Sequence, residues 1–234
     1  MRVAYYEKLT LVDYPGKVAA TVFTLGCVLR CPFCHSPELV QPTKEAQAYL
    51  RHNREEEFFA FLSTRRGKLD GVCITGGEPT LHKDLAPFIR RVKEMGFLIK
   101  LDTNGIFPDI VEKLIKERIV DYWAMDIKHV PDKYATACGV PIDIARIKKS
   151  VRLIMNSDQD YEFRTTVVPG IHEENDFVAI ARWIAGARAY YIQKYRDIKI
   201  LDPRLREKTA RHALDLEKIK TLVAPHVGTV MIRQ

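Results

Sequence analysis

The feature that most limits how this chain can fold is the way its apolar segments change period along the sequence. KVAATVFTLG (17–26), GVCIT (71–75), FLIKLDT (97–103), DYWAMDIK (121–128) and YEFRTTVV (161–168) are short runs rich in β-branched and aromatic residues, the signature of strands. Helical spacing fills the gaps. At 54–66, REEEFFAFLSTRR puts acids in the first turn and arginines in the last, as the helix dipole favours. Further helices are predicted over about 82–95, closed by Gly96, and from Pro108 to about Arg118. Others are expected over 142–156, 174–187 and near 207–223, with a strand inside AYYIQKYRDIKIL (189–201) and a short one in VGTVMI (227–232).

Alternation at this spacing predicts βα units around a parallel sheet, either an open doubly wound sheet or a barrel. The polar signals separate the two. Cys27 to Cys34, Gly76 to Pro79, Asp102 to Gly105, Asp126 to Lys128 and Arg164 to Gly170 all fall at or just after strand C-terminal ends. In a βα barrel those ends share one face, and active sites form there. About six strands predict an α/β chain folded as a partial (β/α)6 TIM-like barrel. One domain is expected over 1–234, with no internal repeat or linker and with the polar stretch 41–54 as an excursion from the barrel.

The 47% apolar content is enough for a large core, and the 29% charged content suits a solvated surface. Charge interrupts each apolar run before the roughly 18 residues a membrane helix needs, and MRVAYYEKLTL holds no secretory segment, so a cytoplasmic location is expected. The net charge of +7 is compatible with nucleic acid, anionic small molecules or an acidic partner, and equally with a basic surface serving solubility.

Five cysteines make no even disulfide set, and Cys27, Cys31 and Cys34 crowd into C-x3-C-x2-C spacing, which points to a metal in a reducing compartment. Three thiolates can hold a 4Fe-4S cluster and leave one iron without a protein ligand. They can also hold zinc if His35 or Cys73 supplies a fourth ligand, so spacing leaves both open. Cys73, inside GVCIT, reads as a buried small hydrophobe, and Cys138 as a helix-end or loop residue. Gly76 and Gly77 permit close backbone approach to a ligand, with Glu78 and Pro79 shaping the turn, although GGEP alone reads equally as a βα turn.

Taken together these segments carry a resemblance. GCVLRCPFCH (26–35) resembles the cysteine loop of the radical S-adenosylmethionine (SAM) superfamily, and GGEP (76–79) resembles its methionine-binding turn. LDTNG (101–105), AMDIK (124–128) and VVPG (167–170) are similar to segments of the glycyl-radical-enzyme activases within it. The stretch LVDYPGKVAATVFTLGCVLRCPFCHSPELV (11–40) is most similar to activating proteins of anaerobic ribonucleoside-triphosphate reductase, with pyruvate formate-lyase activases as close relatives. Leu25 and Ser36 depart from the commonest activase pattern, which has glutamine and asparagine there.

The resemblance implies a single radical SAM domain with a cluster loop at 26–36 and a C-terminal extension from about 203 to 234. It implies an enzyme whose 4Fe-4S cluster, on Cys27, Cys31 and Cys34, cleaves SAM to a 5'-deoxyadenosyl radical that takes hydrogen from a glycine of a partner enzyme. That partner would be anaerobic ribonucleotide reductase, and a flavodoxin or ferredoxin-type protein would supply the electron. Phe33, Gly76, Gly77, Glu78, Pro79, Asn104, Lys128 and Arg164 become candidate SAM contacts. Asp102, Thr103 and Asp126 resemble the oxygen ligands of a monovalent cation, while capping and turn formation would equally use them. His172 reads as a loop residue. Two other functions stay open: a radical enzyme acting on a small molecule or RNA, for which salt-dependent RNA binding is the mark, and a zinc-structured binding module. Membrane association is not expected, and nucleic acid is the less favoured partner.

Overall fold

The structure, a computed structural model, describes residues 1–233. Among these, one sheet holds eight strands in chain order: β1 (Val3–Thr10), β2 (Ala19–Thr24), β3 (Gly71–Gly76), β4 (Leu98–Thr103), β5 (Tyr122–Asp126), β6 (Asp160–Val167), β7 (Ala189–Lys194) and β8 (Thr229–Arg233). The pairs from β2 to β8 are all parallel, and β1 adds antiparallel at the β2 edge. The helices are α1 (Pro37–Val40), α2 (Lys44–Leu50), α3 (Glu55–Ser63), α4 (Leu85–Glu94), α5 (Pro108–Glu117), α6 (Tyr134–Cys138), α7 (Ile144–Met155), α8 (Glu174–Trp183), α9 (Leu205–Thr209) and α10 (Leu216–Val223).

Parallel neighbours need crossovers, and helices supply them, so β2 to β6 are largely buried on both faces. In α4 the residues Leu85, Phe88, Ile89 and Val92 recur at helical spacing and are all buried. Outward-facing Val22, Ile74, Leu101, Trp123 and Phe163 meet the helices in one continuous core. The alternate residues, among them Thr21, Cys73, Lys100, Ala124, Glu162 and Arg164, face the concave side with period 2. Side chains bond across that side: Arg164 on β6 reaches Asp102 on β4 past the small Ala124 on β5, and Arg233 on β8 grips Glu162 on β6. This is a partial barrel in which β2 to β7 provide the six expected strands.

Two details differ from the sequence expectation. Residues 3–10 form β1, whose propensity is modest but whose backbone completes the β2 edge while Tyr6 packs on Phe58 and Phe61. The helix expected near 207–223 is broken in two, because Asp215 caps a new helix by accepting from Glu217 N (3.0 Å) and Lys218 N (3.1 Å). The short strand expected within residues 227–232 forms as β8 and pairs parallel with β7. No helix among the described residues is long and apolar enough to cross a membrane.

Candidate active site

The C-terminal ends of β2, β3, β4, β5 and β6 meet around one cavity of about 280 Å³. Its lining includes Cys27, Cys31, Phe33 and Cys34 from the loop after β2, and Gly76 to Pro79 after β3. Asp102 to Asn104, Asp126, Lys128 and Arg164 complete it. Every residue singled out from the sequence as a cluster, SAM or cation contact lines this one cavity.

The cysteine loop is held through its backbone from several sides. Gly26 N donates to Leu39 O (2.8 Å), Glu78 N to Gly26 O (2.8 Å), and Arg30 N to Cys138 O (2.8 Å). The Arg30 guanidinium folds back on the carbonyls of Cys27 and Leu29, both at 2.8 Å. The segment after β7 closes the outer side, where Asp202 N donates to Pro32 O (3.0 Å) and His35 Nε2 lies 2.9 Å from Arg196 O.

Among the described residues, no three His, Cys, Asp or Glu side chains converge on one point where a single ion would sit. Three thiols on one cavity wall are the donor set that a 4Fe-4S cluster takes, so the residues present fit such a cluster. Cys73, one of the alternatives for a fourth zinc ligand, is absent from the cavity wall: its Sγ lies 3.8 Å from both Asp102 Oδ1 and Lys100 Nζ. It is buried as expected, but beside an ion pair rather than among aliphatic side chains.

Burial pushes the Cys27 thiol up to about 12 and raises Cys34 as well. Cys31 shifts down, chiefly through a hydrogen bond with the Cys138 thiol at the end of α6, which rises in turn. Metal loading must therefore displace protons from at least Cys27 and Cys34, since the thiolate is the ligand.

The two glycines of the GGEP turn also lie hard against protein neighbours. Gly76 has φ +115°, and a Cβ there would overlap Thr24; a Cβ on Gly77 would overlap the Gly26 carbonyl. Their smallness lets the turn lie directly against the cysteine loop. Glu78 is 1% exposed, and its carboxylate joins two segments, the turns after β3 and β4. It accepts from Thr80 N (3.0 Å), the Thr80 hydroxyl, Thr103 Oγ1 (2.8 Å) and Asn104 N (2.7 Å). Burial raises its pKa while these donors oppose the rise. Asn104 in turn places Nδ2 3.8 Å from Cys27 Sγ and accepts from Ile106 N with Oδ1 (3.0 Å).

Charge alternates across the opposite wall. Arg164 donates from Nη1 to Asp102 Oδ2 and from Nε to Asp126 Oδ1, both at 3.0 Å, and Lys128 Nζ donates to Asp126 Oδ2 (3.0 Å). Burial alone would raise both carboxyls, but Arg164 with Lys100 holds Asp102 down at about 2, and Arg164 with Lys128 lowers Asp126. Lys128 is raised by Asp126 against its own burial and stands 6.0 Å over the Phe33 ring. The three residues read as cation ligands thus have protein partners: Asp102 and Asp126 share Arg164, and the Thr103 hydroxyl is turned to Glu78.

Two residues gave little signal. Lys100, on a strand that reads as apolar, is fully buried beneath Asp102 and paired with it. His172 is a loop residue as expected but a buried one, accepting from Val168 N (3.1 Å) and donating to Lys128 O (2.9 Å). A lysine at an inward strand position between Cys73 and Asp102 is the one sequence mark of the first; nothing short of the packing marks the second.

Comparison with known proteins places this geometry. The profile of the Radical SAM superfamily matches residues 21–184. A Methanocaldococcus jannaschii protein named as a glycyl-radical enzyme activating enzyme is 32% identical, over 96% of this chain and 92% of its own. The pyruvate formate-lyase-activating enzyme of Staphylococcus aureus is 30% identical, over 73% of this chain and 69% of its own. The crystal structure of SuiB from Streptococcus suis bound to S-adenosylmethionine superposes with a TM-score of 0.65 at 14% identity, covering 92% of this chain and 52% of that one. At that identity the likeness is one of fold.

Proposed function

We propose, from the premise that this chain belongs to the radical SAM superfamily, that it is an activating enzyme which takes a hydrogen atom from a glycine of a glycyl-radical enzyme. The observation that carries this reading is the single cavity in which three thiols, the GGEP turn and the Asp–Arg–Asp–Lys wall face one another. A 4Fe-4S cluster would supply there, with one electron from a reductant, the cleavage of a carbon–sulfur bond of SAM, giving methionine and a 5'-deoxyadenosyl radical that abstracts hydrogen.

The chain's own residues have separable parts in this. Cys27, Cys31 and Cys34 would hold the cluster, with no fourth protein thiolate required, so that the amino acid end of SAM could bind it. The carbonyls of Gly76 to Pro79 accept from its ammonium, and Lys128 and Arg164 receive its carboxylate through charge-assisted hydrogen bonds. Phe33 gives an apolar surface for adenine, and Asn104 braces Cys27. A monovalent cation on Asp102, Thr103 and Asp126 would have to compete with Arg164 for both carboxylates.

The partner class is supported by the two relatives, whose names specify glycyl-radical enzymes and pyruvate formate-lyase. Within that class we favour anaerobic ribonucleotide reductase, on the similarity of residues 11–40. The chain acts as a single domain with a flavodoxin or ferredoxin-type reductant. The test is anaerobic reconstitution, followed by incubation with SAM, reductant and candidate glycyl-radical enzymes under electron spin resonance. A glycyl doublet on the reductase, with one 5'-deoxyadenosine per radical and none from Cys31→Ala, is the expected result. Tightly bound zinc without SAM turnover overturns the reading, and a doublet on a different partner moves the substrate.

A further inference from the structure

Lys100 is a buried ammonium that the chemistry above does not use. Its side chain is 1% exposed and does not line the cavity. Its polar contacts among the described residues are Asp102 and, at 3.8 Å, the Cys73 thiol. A charge so placed is costly to bury, and an apolar residue of similar length would fill the same space without that cost.

What the charge does follows from the order of groups above it. From the barrel floor to the cavity the sequence is Lys100, Asp102, Arg164, Asp126, Lys128, each within ion-pair distance of the next. Three cations and two anions leave a net charge of +1, and Glu162, which also acts on Lys100 and Arg164, is matched by its own partner Arg233. Without Lys100 the set is neutral, and Arg164 is shared between two carboxylates with no surplus. We infer that Lys100 is a positioning residue: it binds Asp102 from below, so that Arg164 and Lys128 retain positive charge toward the cavity for the carboxylate of SAM. This rests on the functional reading above and adds to it a residue outside the cavity.

The charge count makes the inference separable from simple packing. In Lys100→Met the set falls to zero; in Lys100→Met/Asp102→Asn it returns to +1. The experiment measures equilibrium binding of SAM to the cluster-loaded protein, and thermal unfolding of the cluster-free chain, for wild type and both variants. Lys100→Met is expected to weaken SAM binding about tenfold or more, the scale of one charge-assisted contact, and to lower the melting temperature. The double variant is expected to recover most of both losses. Lys100→Gln, which keeps a donor to Asp102 without the charge, should weaken binding similarly and serves if the methionine variant does not fold. Unchanged binding in Lys100→Met or Lys100→Gln, or no recovery in the double variant, overturns the inference. If wild type binds no SAM, the functional reading fails first, and the melting temperatures still judge the link between Lys100 and Asp102.

Discussion

The carboxylate of Glu78 accepts a 2.7 Å hydrogen bond from the backbone N–H of Asn104, tying the turn after β3 to the turn after β4. With Thr80 and Thr103 on its other oxygen, this one side chain holds two cavity walls in register. Glu78→Ala orphans several buried donors, each worth about 1–3 kcal/mol. We expect a lowered urea midpoint and loss of SAM binding. Glu78→Gln retains one acceptor oxygen and should lie between the two proteins in both measurements.

Cys31 and Cys138 are hydrogen-bonded thiols with different expected fates. Cys31→Ala should abolish 5'-deoxyadenosine formation and reduce iron well below the roughly four atoms of a cubane. Cys138→Ala should keep both within about twofold, because α6 touches the loop through its backbone carbonyl as well as its thiol. Iron analysis and anaerobic turnover of the two variants check this. Equal loss in both would make Cys138 a ligand.

Arg233 donates to Glu162 through both terminal nitrogens, at 2.6 and 2.8 Å, and stacks on Tyr191 at 3.6 Å. Glu162 is fully buried and also accepts from Tyr122 Oη at 2.9 Å. Removing one side of such a pair typically costs about 3–5 kcal/mol. Arg233→Ala should therefore fall near that range in chemical denaturation while leaving the iron content of the folded fraction unchanged.

His172 gives the fold a pH dependence of known sign. Burial, helped by neighbouring His129, pushes it down to about 4, whereas an unfolded histidine titrates near 6.5. Between these values the unfolded chain binds more protons, so stability is full above about pH 6.5 and declines as pH falls toward 4. The slope from one such group reaches at most about 1.4 kcal/mol per pH unit. His129 is lowered too, and adds in the same direction. Urea midpoints at about pH 7.5 and pH 5 should separate for wild type and draw together in His172→Gln, which can keep a donor and an acceptor.

The chain by itself determined the βα order, the strands that carry the site and the cysteines that mark it. Those properties reside in local period and in residue types with few alternative uses: β-branched runs, helix caps, and thiols at metal spacing. Tertiary structure decided what sequence separation conceals. Gly77 is small because Gly26 lies against it, Glu78 is spent on donors 2 to 26 residues away, and Asp102 meets Arg164 because barrel curvature brings β4 and β6 to one side. The split of the last helix was legible only through Asp215, a residue that caps as readily as it continues. Burial removes water as a competing partner, so each buried charge must be met by another, and where that partner comes from a different strand, which strand it is depends on closure of the sheet rather than on any local pattern.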